Sequence, residues 1–122
     1  MSWIVEFHQD FETEFDALPK DVQNKLLARA NMLEAFGSEL GRPHVDTLNG
    51  SRHSNMKELR FKAADGVWRV AFAFDLRRNA ILLVAGDKSG GSETRFYKQL
   101  IKTADARFDN HLSQLKTQSE EK

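Results

Sequence analysis

Six cations gather in the middle of the chain, Arg52, Lys57, Arg60, Lys62, Arg69 and Lys88, and Tyr97 follows closely behind them. Such a group suits a phosphodiester. In-line attack by a ribose 2′-hydroxyl on the adjacent phosphate builds negative charge on a pentacoordinate phosphorus, which preorganised Arg and Lys donors stabilise. Guanidinium forks do this well because they grip two oxygens at once. The same reaction needs a base for the 2′-hydroxyl and an acid for the leaving 5′-oxygen, each typically contributing ~10²–10⁴ in rate. Arginine stays protonated and is a poor base. The candidates are therefore Glu58, His53, and either Lys57 or Lys88, whose pKa neighbouring cations would lower. Tyr97 could stack on a base or donate a proton.

Each residue also has an ordinary structural reading. Lys62 alternates with apolar neighbours, as charges on a solvated sheet face do. Arg69 sits in the middle of an apolar run, where a charge must find a partner, and its context does not say whether that is a carboxylate or a phosphate. Tyr97 borders an apolar helix stripe and reads equally as a core tyrosine with a wet hydroxyl. His53 lies in a polar loop, Arg77 and Arg78 in a turn, and Asp46 and Asp87 suit hydrogen-bonding positions at loop and strand ends. The four histidines, His8, His44, His53 and His111, have no metal-ligand spacing, so no metal or other cofactor is expected, and no phosphate-binding glycine motif is present.

The elements that must position these groups centre on Met56–Lys88. In Met56–Ala63, Leu59, Phe61 and Ala63 alternate with Glu58, Arg60 and Lys62, the period of a half-buried strand. Lys57 shares the parity of Leu59 and Phe61. Asp65-Gly66 predicts a two-residue hairpin turn, and Trp68, Val70, Phe72 and Phe74 then alternate with Val67, Arg69, Ala71 and Ala73. Ala80–Ala85 is apolar throughout, as in a strand covered on both faces. Upstream, Trp3–His8 alternates like a short strand, and Asp10 is a plausible N-cap for a helix carrying Phe11, Phe15 and Leu18. Pro19 ends that helix and suits the start of a second over 20–36, with Val22, Leu26, Ala30 and Leu33 as its apolar stripe and Gly37 as its C-cap. Gly41–Asn55 has no periodicity and reads as a loop. Beyond the Ser89–Ser92 connector, a last helix over 93–115 carries Phe96, Leu100, Ala104, Phe108, Leu112 and Leu115.

At 122 residues the chain suits one domain over 1–115, with a polar tail over 116–122 expected to fray. No cysteine is present, which removes disulfides and thiolate metal sites. No apolar run approaches the ~20 residues of a membrane span, and no export signal is visible, so a cytoplasmic protein is expected. Net charge is zero, but unevenly spread. Residues 1–40 carry three cations against eight acids, a balance of −5, and residues 41–110 carry thirteen against eight, a balance of +5. That asymmetry suits one surface for a polyanion, with Arg52, His53, Lys62 and Arg95 as candidate RNA contacts, and another surface for a different partner.

The segments GRPHVDTL, GSRHSNMKELRF, DGVWRVAFAFD, AILLVAGDKSG and RFYKQLI follow one another in an order that resembles the phage-derived HigB-like toxins of the RelE/ParE superfamily. The resemblance runs from WIVEF to ADARFDNHL. It implies an α+β, RelE-like fold: two N-terminal helices packed on a curved, mainly antiparallel sheet of an N-terminal strand plus a three-strand meander, then a C-terminal helix. It implies the toxin of a type II toxin–antitoxin pair, a metal-independent mRNA endonuclease acting on the ribosome and neutralised by a helix-turn-helix antitoxin. By the same resemblance Arg60, Arg69, Lys88 and Tyr97 match catalytic positions. Glu58 stands where a lysine is expected, with Lys57 beside it, so the identity of the base stays open. A ParE-like toxin that binds gyrase without cleaving RNA, or a module that binds only its antitoxin, are the alternative readings.

Overall fold

The computed structural model describes residues 3–120. Five strands form one sheet: β1 (Ile4–Phe7), β2 (Val45–Thr47), β3 (Met56–Ala63), β4 (Gly66–Phe74) and β5 (Asn79–Asp87), in the spatial order β1-β5-β4-β3-β2. The meander is antiparallel throughout, and β1 joins its β5 edge in parallel. This is the expected α+β arrangement. Two helices, α1 (Gln9–Asp16) and α2 (Lys20–Phe36), cover one face of the sheet, and α3 (Glu93–Glu120) covers the other.

Side-chain alternation assigns the faces. Leu59, Phe61, Val70 and Phe72 point toward Phe11, Val22, Leu26 and Leu33 of the first two helices. Met56, Ala71, Ala73, Ile81 and Leu83 point the other way, toward Leu100, Ala104 and Phe108 of α3. Because β5 contributes to both layers, it is apolar on both sides, and each fully buried Leu, Ile or Phe contributes roughly 1.5–3 kcal/mol. A bulge offsets β4 and β5 at Ala71/Phe72. The Leu83 carbonyl there accepts a hydrogen bond from Arg107 Nη1 at 2.8 Å, while the same guanidinium grips Glu14 and so ties α3 to α1.

Four local expectations change. His8, not Asp10, is the N-cap of α1: its Nδ1 accepts from the Asp10 backbone N–H at 3.1 Å. The hairpin turn lies one residue earlier than expected, on Ala64 and Asp65, both at positive φ as a type I′ turn requires. Gly66 already pairs with Ala63, and it is needed for space, since a Cβ there would lie 2.7 Å from Asp87 Oδ2. Part of the loop over 41–55 is strand β2, paired antiparallel with Lys57–Leu59. Finally, α3 extends past the expected Leu115 to Glu120, there being no Gly or Pro between Glu93 and Glu120 to break it; residues 121–122 lie outside the described residues.

Candidate functional site

β3 and β4 pair in continuous register from Met56↔Ala73 to Ala63↔Gly66, which sets Arg60 directly opposite Arg69 on the α3 face. Like charges at opposed positions repel, and Glu58, two residues before Arg60 on that face, relieves the pair. Its Oε2 lies 3.9 Å from Arg60 Nε and its Oε1 3.8 Å from Arg69 Nε. Arg69, only 6% exposed, also donates from Nε to the Tyr97 hydroxyl at 3.2 Å and from Nη1 to the Trp68 carbonyl at 3.0 Å. Tyr97 enters from the start of α3, and Lys88, at the end of β5, places its ammonium 5.9 Å from the Tyr97 ring centroid while pairing with Glu93 at 2.6 Å.

Burial sets the electrostatics. Glu58 is 5% exposed and its Oε1 has no hydrogen-bond partner. Desolvation raises its pKa, against the pull of the Tyr97 hydroxyl and the two guanidiniums. Burial likewise raises the Tyr97 hydroxyl, so it keeps its proton at neutral pH. At the rim, the hydrogen bond from Lys88 holds Glu93 below the ordinary carboxylate range.

Two clefts open on this group. The first, about 450 Å³, is walled by Asp46, Glu58, Arg60, Lys88 and Tyr97 together with Arg42. The second, about 320 Å³, lies by the first residue of β2, where the His44 carbonyl still accepts the Arg60 N–H and beyond which β2 no longer pairs with β3; Arg60, Lys62, Arg69 and Arg42 line it above Pro43 and Val67. Arg60 and Arg42 belong to both. The arrangement can hold an anion between guanidiniums and offers it a buried carboxylate as proton acceptor.

Of the residues singled out in the sequence, Glu58, Arg60, Arg69, Lys88 and Tyr97 come together here, with Lys62 at the margin. Lys57 does not. Without a bulge at the start of β3, its parity with Leu59 and Phe61 carries it to the face covered by α2, opposite Phe72, so it is removed from the candidates for the base. Arg52 and His53 are turned to α3, where both bind the Asp109 carboxylate, His53 Nε2 at 2.8 Å. Neither lines the two clefts. Arg95 lies by a separate, mainly apolar hollow beside Phe96 and Gly86. Missed in the sequence was Arg42, and Asp46 was read there only as a hydrogen-bonding residue; the two pair at 2.6 Å, Asp46 Oδ2 also lying 3.5 Å from Arg60 Nη1. The alternation of Val45, Asp46 and Thr47 is the signal that could have found them, but three residues are too few to read as a strand. Among the described residues, no group of three or more His, Asp or Glu is arranged to hold a metal ion, and no helix is long and apolar enough to cross a membrane.

The architecture is the RelE fold. A mutant of the E. coli toxin RelE in the free state superposes with a TM-score of 0.55 at 13% identity, over 83% of this chain and 95% of that one. The archaeal RelE–RelB complex from Pyrococcus horikoshii OT3 gives 0.53 at 19% identity, over 75% and 100%. More specifically, the model of the family "Phage derived protein Gp49-like" matches residues 13–109, and the chain belongs to that family, with HigB-type relatives. The proteins named "Putative toxin HigB2" and "Putative toxin HigB3" of Mycobacterium tuberculosis (strain ATCC 25618 / H37Rv) are each 44% identical to it. The HigB2 match covers 100 residues, 81% of this chain and 49% of the relative; the HigB3 match covers 102 residues, 84% and 87%. The chain thus spans about half the length of HigB2 and most of HigB3.

Proposed function

We propose that this protein is the toxin of a type II toxin–antitoxin pair and acts as an endoribonuclease on ribosome-bound mRNA. One observation carries the reading: a buried carboxylate, Glu58, held between two opposed guanidiniums at the mouth of a nucleotide-sized cleft. The scissile phosphate sits against Arg60 and Arg69. Glu58 takes the proton of the 2′-hydroxyl as its oxygen attacks phosphorus, and the guanidiniums stabilise the charge that accumulates on the equatorial oxygens. The bond to the 5′-oxygen breaks, and the Lys88 ammonium supplies the proton that the leaving oxygen takes. A 2′,3′-cyclic phosphate and a 5′-hydroxyl result. Tyr97 acts as a positioning residue, since it receives the Arg69 Nε–H and fixes the fork.

Charge stabilisation in this scheme comes from protein cations, so no metal is required. The same cationic clefts suit an antitoxin segment bearing acidic side chains, which would inhibit by occupying the site of the RNA; that a protein of this fold is solved in complex with RelB supports an antitoxin partner. Incubating the purified protein with translating ribosomes and mapping the message by primer extension tests the reading. Discrete cuts within the reading frame are expected. An intact message, or gyrase cleavage complexes in its place, would contradict it.

A further inference from the structure

Arg42 stands outside the catalytic group, yet it walls both clefts. Its guanidinium donates to Asp46 Oδ2 at 2.6 Å, and Arg60 Nη1 approaches the same oxygen at 3.5 Å. Two guanidiniums from different strands of chain therefore converge on one anionic oxygen at the boundary between the clefts. Asp46 is anchored independently, its Oδ1 accepting from the Thr47 backbone N–H at 2.9 Å. The second cleft continues from this point along the uncovered edge of β3, with Lys62 on the same face as Arg60 and an apolar floor at Pro43 and Val67. Cations along one wall and an apolar floor suit a single-stranded nucleotide: phosphate on the wall, base on the floor.

We propose that the second cleft is a subsite for the nucleotide next to the scissile linkage, and that Arg42 and Lys62 hold its phosphate. Asp46 acts there as an internal counter-ion, occupying the position of a phosphate oxygen between Arg42 and Arg60 until RNA displaces it. This rests on the nuclease reading, which it extends from the scissile phosphate to its neighbour. It separates two carboxylates of opposite consequence: Glu58 serves the reaction, whereas Asp46 competes with the substrate.

The test is binding of mixed-sequence 2′-O-methyl oligoribonucleotides, two and six nucleotides long, by fluorescence anisotropy across a salt series. The methyl group blocks the attacking hydroxyl, so binding is read without cleavage. Arg42→Ala should weaken the hexamer about tenfold, leave the dinucleotide within about twofold, and lower the log–log salt slope by about 0.7, the value of one phosphate contact on a single strand. Lys62→Ala should act in the same direction. Asp46→Asn, which keeps the acceptor for Thr47, should tighten the hexamer. Arg42→Ala with unchanged hexamer affinity and slope would overturn the subsite, even if the protein cleaves ribosome-bound message. Conversely, the full pattern of changes in a protein that cuts no message would leave the subsite standing and overturn the nuclease reading. Wild-type protein that binds neither oligomer would overturn the subsite as well.

Discussion

Arg60 and Arg69 are cross-strand partners on the α3 face of the sheet, and a single buried carboxylate, that of Glu58, lies within 4 Å of both. Asp46 adds a second carboxylate and Arg42 a third guanidinium, so three guanidiniums face two carboxylates and are left with donors to spare. That surplus distinguishes the cluster from a closed structural ion pair, in which each fork is consumed by its own partner.

Glu58 as the base predicts a particular pH profile. Because burial raises its pKa, the acidic limb of kcat/KM should lie above the ~4.3 of an ordinary glutamate. Activity should fall as pH drops through that value, since only the carboxylate accepts a proton. Glu58→Gln should remove the limb and lower single-turnover cleavage by about 10²–10⁴. A profile flat down to pH 4 would exclude Glu58.

Arg69 couples activity to stability. Arg69→Ala leaves the buried Glu58 facing one guanidinium, at a cost of about 1–3 kcal/mol. The double variant Arg69→Ala/Glu58→Gln, which removes the orphaned charge, should recover much of that loss while staying inactive. Urea unfolding of the two variants measures this, and equal destabilisation of both would show that Glu58 and Arg69 are not coupled.

How much of this was legible in the sequence depended on the length of the pattern. β3 and β4 alternate over eight and nine residues, long enough that the shared face of Glu58, Arg60 and Arg69 could be read directly, as could the displacement of Lys57 to the other face. β2 is three residues long and polar at two of them, so it carried no usable period; the place of Asp46 beside Arg60 went unread with it, as did that of Arg42 in the turn before it. His8 was hidden for another reason: its ring caps α1 through Nδ1, a role that Asp10 fills more often by type. The attachment of Arg52 and His53 to Asp109 joins residues more than fifty positions apart, which no local pattern encodes.

Gly66→Ala tests the hairpin. The added methyl would meet Asp87 Oδ2 at 2.7 Å and Trp68 Nε1 at 2.8 Å, in a place where the Asp87 carboxylate also accepts from the Val67 N–H. A loss of about 1–3 kcal/mol is expected, read as a lowered Tm. An unchanged Tm would mean that the end of the hairpin yields freely.

The Glu14–Arg107 pair between α1 and α3 has a defined pH signature. The hydrogen bond from Arg107 holds Glu14 below its ordinary pKa, so the pair's stabilisation is present above the unfolded value of ~4.3 and is lost as pH falls through the lower folded value. Glu14 is about half exposed, which limits the effect to under about 1 kcal/mol. Glu14→Gln should therefore be slightly less stable than wild type in urea at pH 7 and equal to it near pH 3. A difference that persists unchanged at pH 3 would assign the effect to packing.

The most direct measurement is single-turnover cleavage of a ribosome-bound message carrying one 2′-deoxynucleotide on the 5′ side of a mapped cut. Attack by the 2′-hydroxyl, with Glu58 as its base and Arg60 and Arg69 on the phosphate, predicts that cleavage stops at that position alone and continues at the others. Cleavage of the deoxy-substituted linkage at the unmodified rate would contradict the mechanism.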